Sequence, residues 1–164
     1  MAELLAEALP NPAMHLSLDQ IQFFQQAAIN EAIKAFEQNE VPIGAVITNG
    51  IEIIGTGFNK TESLKDPTAH AEILAIKDAT NKKQNWRLND CALFVTVEPC
   101  TMCAGAIINS RIKTLIFGVS EPRTGAVGSL YNVIDNYSDT RVITGVMEDQ
   151  CKELLEKFFK ARRQ

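Results

Sequence analysis

Apolar runs separated by segments of helical period constrain this chain more than any other feature. Ala92-Leu93-Phe94-Val95 and Leu115-Ile116-Phe117 have no polar break, so each reads as part of a strand covered on both faces. The segment between them, helical from about Thr101 to Ser110, reads as the crossover that parallel pairing requires. Upstream, Ile21, Phe24, Ala28, Ala32, Ala35 and Phe36 recur at three and four, which predicts a helix from Leu18 to about Gln38 with Ser17 or Asp19 as its cap. Ile43 to Thr48 and Ile51 to Ile54 flank Asn49-Gly50 and predict an antiparallel hairpin with a two-residue turn. A polar loop from Lys60 to Thr68, a helix from about His70 to Lys82, a strand from Arg141 to Val146 and a helix from about Glu148 to Arg163 complete the pattern. The expectation is an α/β fold: a three-layer α/β/α unit whose mixed five-stranded sheet opens with the hairpin. One domain over residues 18–164 is expected, with residues 1–17, which carry Pro10 and Pro12 and no clean periodicity, as a flexible extension. Residues 120–140 form a long aperiodic connection of the kind usually tied to function.

Composition narrows the function classes. At 164 residues, with hydrophobic residues at 46% and charged residues at 22%, the chain carries an ordinary single-domain core. Sixteen Lys and Arg against twenty Asp and Glu give a net charge of −4, so a polyanionic partner must meet a local basic patch. The start of the chain shows no export signal, and no segment approaches the ~18 apolar residues of a membrane span. A cytoplasmic location without membrane association is therefore expected. In that reducing setting the four cysteines serve as metal ligands or reactive thiols rather than crosslinks.

The chemistry concentrates in Thr68-Ala69-His70-Ala71-Glu72 and Glu98-Pro99-Cys100-Thr101-Met102-Cys103. A lone histidine is more often an ordinary surface or core residue, and His15 takes that reading. A lone C-x-x-C fits a redox pair, but no thioredoxin-like context surrounds this one. Together, one imidazole and two thiolates give three ligands, the count of a catalytic zinc site that keeps its fourth position for water. Cys91 and Cys151 lack ligand spacing and read as buried apolar groups. Cys100 and Cys103 fall in the first turn of a helix, whose N-terminus favours thiolates. Residues i and i+2 in mid-helix point about 200° apart, so His70 must sit at the very start of its helix to share a site with Glu72. Both helix N-termini should meet at one edge of the sheet. Glu72 then stands beside the acidified water as the group that moves protons; alone it would read as a first-turn acid favoured by the helix dipole.

The H-x-E and P-C-x-x-C pairing resembles the signature of the zinc nucleobase deaminases. Further segments match the bacterial tRNA-specific adenosine deaminase family within the cytidine deaminase-like superfamily. They include Val41-Pro42-Ile43-Gly44-Ala45-Val46, Asn59, Ser110-Arg111, Phe117-Gly118, Thr124-Gly125, Gly128-Ser129-Leu130, Phe158-Phe159 and Arg162-Arg163-Gln164. The resemblance covers about Leu18 to Gln164. It implies a homodimer with one Zn2+ per subunit that converts adenosine to inosine at the wobble position of a tRNA anticodon. It implies His70, Cys100 and Cys103 as zinc ligands and Glu72 as the proton shuttle, with Asn59, Ala71, Glu121, Phe159, Arg162 and Arg163 contacting the anticodon stem-loop. Ser120-Glu121 departs from the family's usual charged residue followed by Asp.

The residues themselves leave alternatives open. Asn59 after a strand also suits turn chemistry. Lys157, Lys160, Arg162 and Arg163, with no acid after Glu156, form a basic patch for RNA or a set of cations complementing a helix C-terminus. Leu154, Leu155 and Phe158 are expected in the core and Phe159 under a splayed base. A deaminase of free nucleobases or nucleosides shares the zinc and Glu72 but has no use for the C-terminal cations. A non-catalytic zinc-stabilised RNA-binding module would be indifferent to Glu72→Gln.

Overall fold

The computed structural model describes residues 15–163. Helix α1 (Leu18–Glu37) is followed by β1 (Gly44–Thr48), β2 (Ile53–Phe58), a single turn α2 (Thr61–Leu64), α3 (Ala71–Lys83), β3 (Ala92–Val97) and α4 (Thr101–Asn109). The chain continues through β4 (Thr114–Val119), α5 (Val133–Tyr137), β5 (Arg141–Ile143) and α6 (Glu148–Arg162). The sheet runs β2-β1-β3-β4-β5, antiparallel across β2/β1 and β1/β3 and parallel across β3/β4 and β4/β5. Period-two alternation sends successive side chains to two layers. Ala45, Ile47, Leu93, Val95, Leu115 and Phe117 meet α3 and α4, whereas Val46, Phe94 and Ile116 meet α1. The expected three-layer mixed sheet is present. Among the described residues no helix is long and apolar enough to cross a membrane.

Several boundaries differ from expectation for local reasons. Ser17 caps α1 in a reciprocal capping box with Gln20, and Leu16 packs against the core, so these two residues join the folded unit. Residues 1–14 of the proposed extension lie outside the described residues. The hairpin loop holds four residues, not two: Thr48 pairs with Ile53 across a bulge, and Asn49 Oδ1 accepts from the N–H groups of Ile51 and Glu52. That Asx bonding takes donors the ladder would have used and leaves Ile51 outside the strand. Strand β5 stops at Ile143, just before Gly145 and Met147 turn the chain with positive φ into α6. The stretches expected as loops also contain α2 and α5.

Gly57 positions the site. A Cβ there would lie 2.6 Å from the Ala75 amide nitrogen and would also overlap the Ala71 carbonyl, so only glycine lets the first turn of α3 rest directly on β2. Gly57→Ala is expected to destabilise the fold by ~1–3 kcal/mol, the ordinary overpacking range. That corresponds to roughly 3–10 °C in Tm, and thermal melts of the two proteins check it.

Candidate metal centre and base pocket

Topology brings four segments to one edge of the sheet. Strands β2, β3 and β4 run in the same direction, so their C-terminal ends share an edge with the start of β1. The residues just beyond those ends line one cleft of about 240 Å3. Val41 and Ile43 enter from before β1, and Asn59, Thr61, His70, Ala71 and Glu72 from after β2. Val97, Glu98 and Cys100 follow β3, while Glu121 and Thr124 follow β4. This is the crevice in which open α/β sheets collect ligands, and its volume, below the ~300 Å3 floor of drug-sized sites, suits a small ligand.

His70 is the N-cap of α3, with extended backbone (φ −75°, ψ 154°), and Cys100 is the N-cap of α4 (φ −74°, ψ 176°). Both side chains therefore escape the helical screw, which resolves the i, i+2 problem at His70 and Glu72. His70 Nδ1 lies 3.5 Å from the Cys100 sulfur and 3.5 Å from the Cys103 sulfur, and the three ligand atoms all fall within 4.8 Å of one another. A tetrahedral ion with bonds of ~2.3 Å to sulfur and ~2.0 Å to nitrogen needs an S···N spacing of ~3.5 Å, so the three residues fit such an ion.

The electrostatics match the donor set. A hydrogen bond from Cys103, aided by His70, draws Cys100 down to about 4 despite its burial. The same contact, with burial and the nearby Glu72 charge, pushes Cys103 up. One proton shared between two sulfurs is the state that a cation replaces with two thiolates. The Cys100 hydrogen bond raises His70 against the opposing effect of burial. Glu72, only 4% exposed at the second position of α3, is raised chiefly by burial. Asn59 lines the cleft and is 6% exposed, and its buried side-chain oxygen has no hydrogen-bond partner within the protein. Buried acceptors of that kind are normally paired, which sets Asn59 apart from the other cleft residues.

Of the other residues singled out in the sequence, Ala71 and Glu121 reach the cleft. Glu121 Oε1 accepts from the Arg123 backbone and lies 3.4 Å from its guanidinium nitrogen. Phe159, Arg162 and Arg163 do not line it. Phe159, 38% exposed, and Arg163 border a separate groove on α6 with Lys152, Leu155 and Lys160. Arg162 donates through Nη2 to the Asn39 carbonyl at 2.7 Å and stacks on Phe158, which is buried as expected. Cys91 and Cys151 are buried too.

Sequence reasoning missed two buried carboxylates. Glu40 accepts from the N–H groups of Glu62 and Ser63 and so caps α2 just after Asn59. Glu98 binds the 121–129 loop, and those hydrogen bonds hold its carboxyl below its ordinary value even though burial opposes this. An acid closing an otherwise apolar strand was the available signal for Glu98, whereas nothing local marks Glu40.

Comparison with known proteins places the chain among deaminases. Residues 18–163 match the MafB19-like deaminase family. The chain is 45% identical over 141 residues to the tRNA-specific adenosine deaminase of Haemophilus influenzae, covering 84% of this chain and 82% of that one. A solved tRNA:A34 deaminase, described as carrying out A-to-I editing at the wobble position of transfer RNA, superposes with a TM-score of 0.76 at 39% identity, over 81% of this chain and 99% of that chain. A guanine deaminase from Nitrosomonas europaea shares the fold, with a TM-score of 0.76 at 21% identity over 94% of this chain and 91% of that one.

Proposed function

This chain belongs to the tRNA-specific adenosine deaminase family, and from that premise we propose that it converts adenosine to inosine at the wobble position of a tRNA anticodon. Water adds its oxygen at C6, the C6–N bond breaks, and ammonia leaves. The observation that carries the reading is the convergence of a three-ligand cage, a buried carboxylate and an unpartnered asparagine on one small cleft.

His70, Cys100 and Cys103 would hold the ion, and their one-nitrogen, two-sulfur set favours zinc. When bound, zinc acidifies water to a pKa of ~7 and so supplies a nucleophile at neutral pH. The remaining chemistry belongs to the chain. Glu72 takes one proton from the attacking water and delivers it to the purine ring nitrogen, then takes the second proton from the new C6 hydroxyl and delivers it to the departing amine. Asn59 Oδ1 accepts a hydrogen bond from the flipped base and fixes its rotation. The Ala71 N–H, at the first position of α3, is one of the donors a helix leaves without an internal partner and is offered to the substrate. Val41 and Ile43 supply apolar surface to the unstacked ring.

The anticodon stem-loop is bound by the α6 cations and Phe159, and Glu121 borders the cleft where the ribose would lie. The resemblance leads us further to a homodimer acting in the cytoplasm, which sedimentation at working concentration tests. Because Arg162 is tied to Asn39 and Phe158, Lys160 and Arg163 are the cleaner probes of RNA contact. Lys160→Ala with Arg163→Ala is expected to raise KM for a stem-loop and to reduce the slope of log affinity against log salt by ~2, about one unit per phosphate contact. Free adenosine or guanine turnover should not respond. Equal effects on both substrates would favour a free-base deaminase instead. The reading as a whole is tested by incubating the zinc-loaded protein with an anticodon stem-loop bearing adenosine, then cytidine, at the wobble position. Inosine from the first and no uridine from the second is the expected result.

A further inference from the structure

The 120–131 segment has little regular structure, yet it forms one wall of the cleft through Glu121 and Thr124. One side chain gathers it at three points. Glu98 is 4% exposed, and its carboxylate accepts from the Glu121 N–H at 2.9 Å, the Val127 N–H at 3.0 Å, the Ser129 N–H at 3.0 Å and the Ser129 hydroxyl. All four bonds reach the same loop, 23 to 31 residues downstream. The carboxylate is thus fully used as an acceptor, and charge-assisted bonds of this type are about twice as strong as neutral ones. Glu98 also stands two residues before Cys100, with its own N–H in the β3/β4 ladder to Val119. The loop returns to that turn as well: the Ala126 N–H donates to the Pro99 carbonyl at 2.9 Å, and Gly125 bridges Cys100.

We propose that Glu98 is a positioning residue for the deamination. Its carboxylate gathers the 121–129 loop onto the turn that carries Cys100 and so fixes the distance between the Glu121 and Thr124 rim and the reacting centre. The reading rests on the deaminase assignment for what the rim binds, not for the anchoring itself. Gly125 supplies an independent handle. A Cβ there would lie 2.5 Å from Glu98 Oε2 and 2.5 Å from the Glu121 carbonyl, so Gly125→Ala forces the loop off the carboxylate without altering Glu98.

Glu98→Gln keeps the shape and one acceptor oxygen but turns an amide N–H toward the Glu121 N–H. With zinc-loaded full-length protein and the adenosine stem-loop, Glu98→Gln and Gly125→Ala are each expected to raise KM about tenfold, the loss of one hydrogen bond to a charged group. Their kcat should change less than KM, and their zinc content should equal that of the parent. Arg123 is exposed in the loop, so tryptic cleavage after Arg123, read by mass spectrometry, should accelerate in both variants. Parental KM and parental cleavage in both variants overturn the proposal. So does loss of zinc at unchanged cleavage, which would make Glu98 a support of the ligand turn alone. If the parent protein forms no inosine, the deaminase reading fails while the cleavage comparison still decides whether Glu98 anchors the loop.

Discussion

Glu72→Gln is expected to lower inosine formation by ~10²–10⁴-fold, the usual contribution of a general acid–base group, while zinc content and fold stay intact. The substitution preserves volume and an oxygen acceptor, so nothing in the packing of α3 against β2 changes. What it removes is the capacity to carry a proton. Burial already raises the Glu72 carboxyl, and this strengthens it as an acceptor of the proton that water gives up. An amide cannot take that proton. Because an isolated buried charge costs stability, the variant should melt no lower than the parent. Single-turnover assays of inosine, metal analysis and a thermal melt on the same preparation check all three statements. Turnover that survives the substitution would assign the site to structure or RNA binding.

Removing the metal should be equally severe and act through a different quantity. The three ligand atoms converge from two helix N-termini only in the folded chain, so an ion adds its binding free energy to folding. An ion at 100 times its dissociation constant stabilises by ~2.7 kcal/mol, or roughly 5–10 °C in Tm for a chain of this size. Chelation is therefore expected to abolish deamination and lower Tm together, with both restored by added zinc. Cys103→Ala should reproduce the chelated state and resist rescue, because Cys103 is fully buried and its loss leaves only two members of the three-ligand group. Activity in metal-free protein would remove the basis for the assigned chemistry.

The features legible in the sequence were those carried by local pattern. Continuous apolar strands gave the mixed sheet, and the i, i+2 spacing of His70 and Glu72 forced His70 out of the helix, where it stands as N-cap. Features made by long-range hydrogen bonds left little trace. Helix α2 is a polar four-residue segment whose cap comes from Glu40, 22 residues earlier for Glu62. The order of the 121–129 loop depends on Glu98, which local reasoning reads only as the acid before a proline. Asn49-Gly50 misled because the asparagine side chain satisfied two backbone donors that a tight hairpin would have paired across the strands. Helix α5 was the exception, since Asn132 caps it by accepting from Asp135, a local signal passed over inside a long aperiodic stretch. The α6 cations were legible as a patch, but only the structure separates Arg162, engaged with Asn39 and Phe158, from Arg163.

The central claim is that His70, Cys100 and Cys103 leave a fourth coordination position open beside Glu72. X-ray absorption at the zinc edge, on protein carrying one zinc per chain, measures this most directly. The account predicts two sulfur neighbours at ~2.3 Å and two nitrogen or oxygen neighbours at ~2.0–2.1 Å, one of which is exchangeable with solvent. Three or four sulfur neighbours, or a closed shell with no exchangeable oxygen, would contradict it.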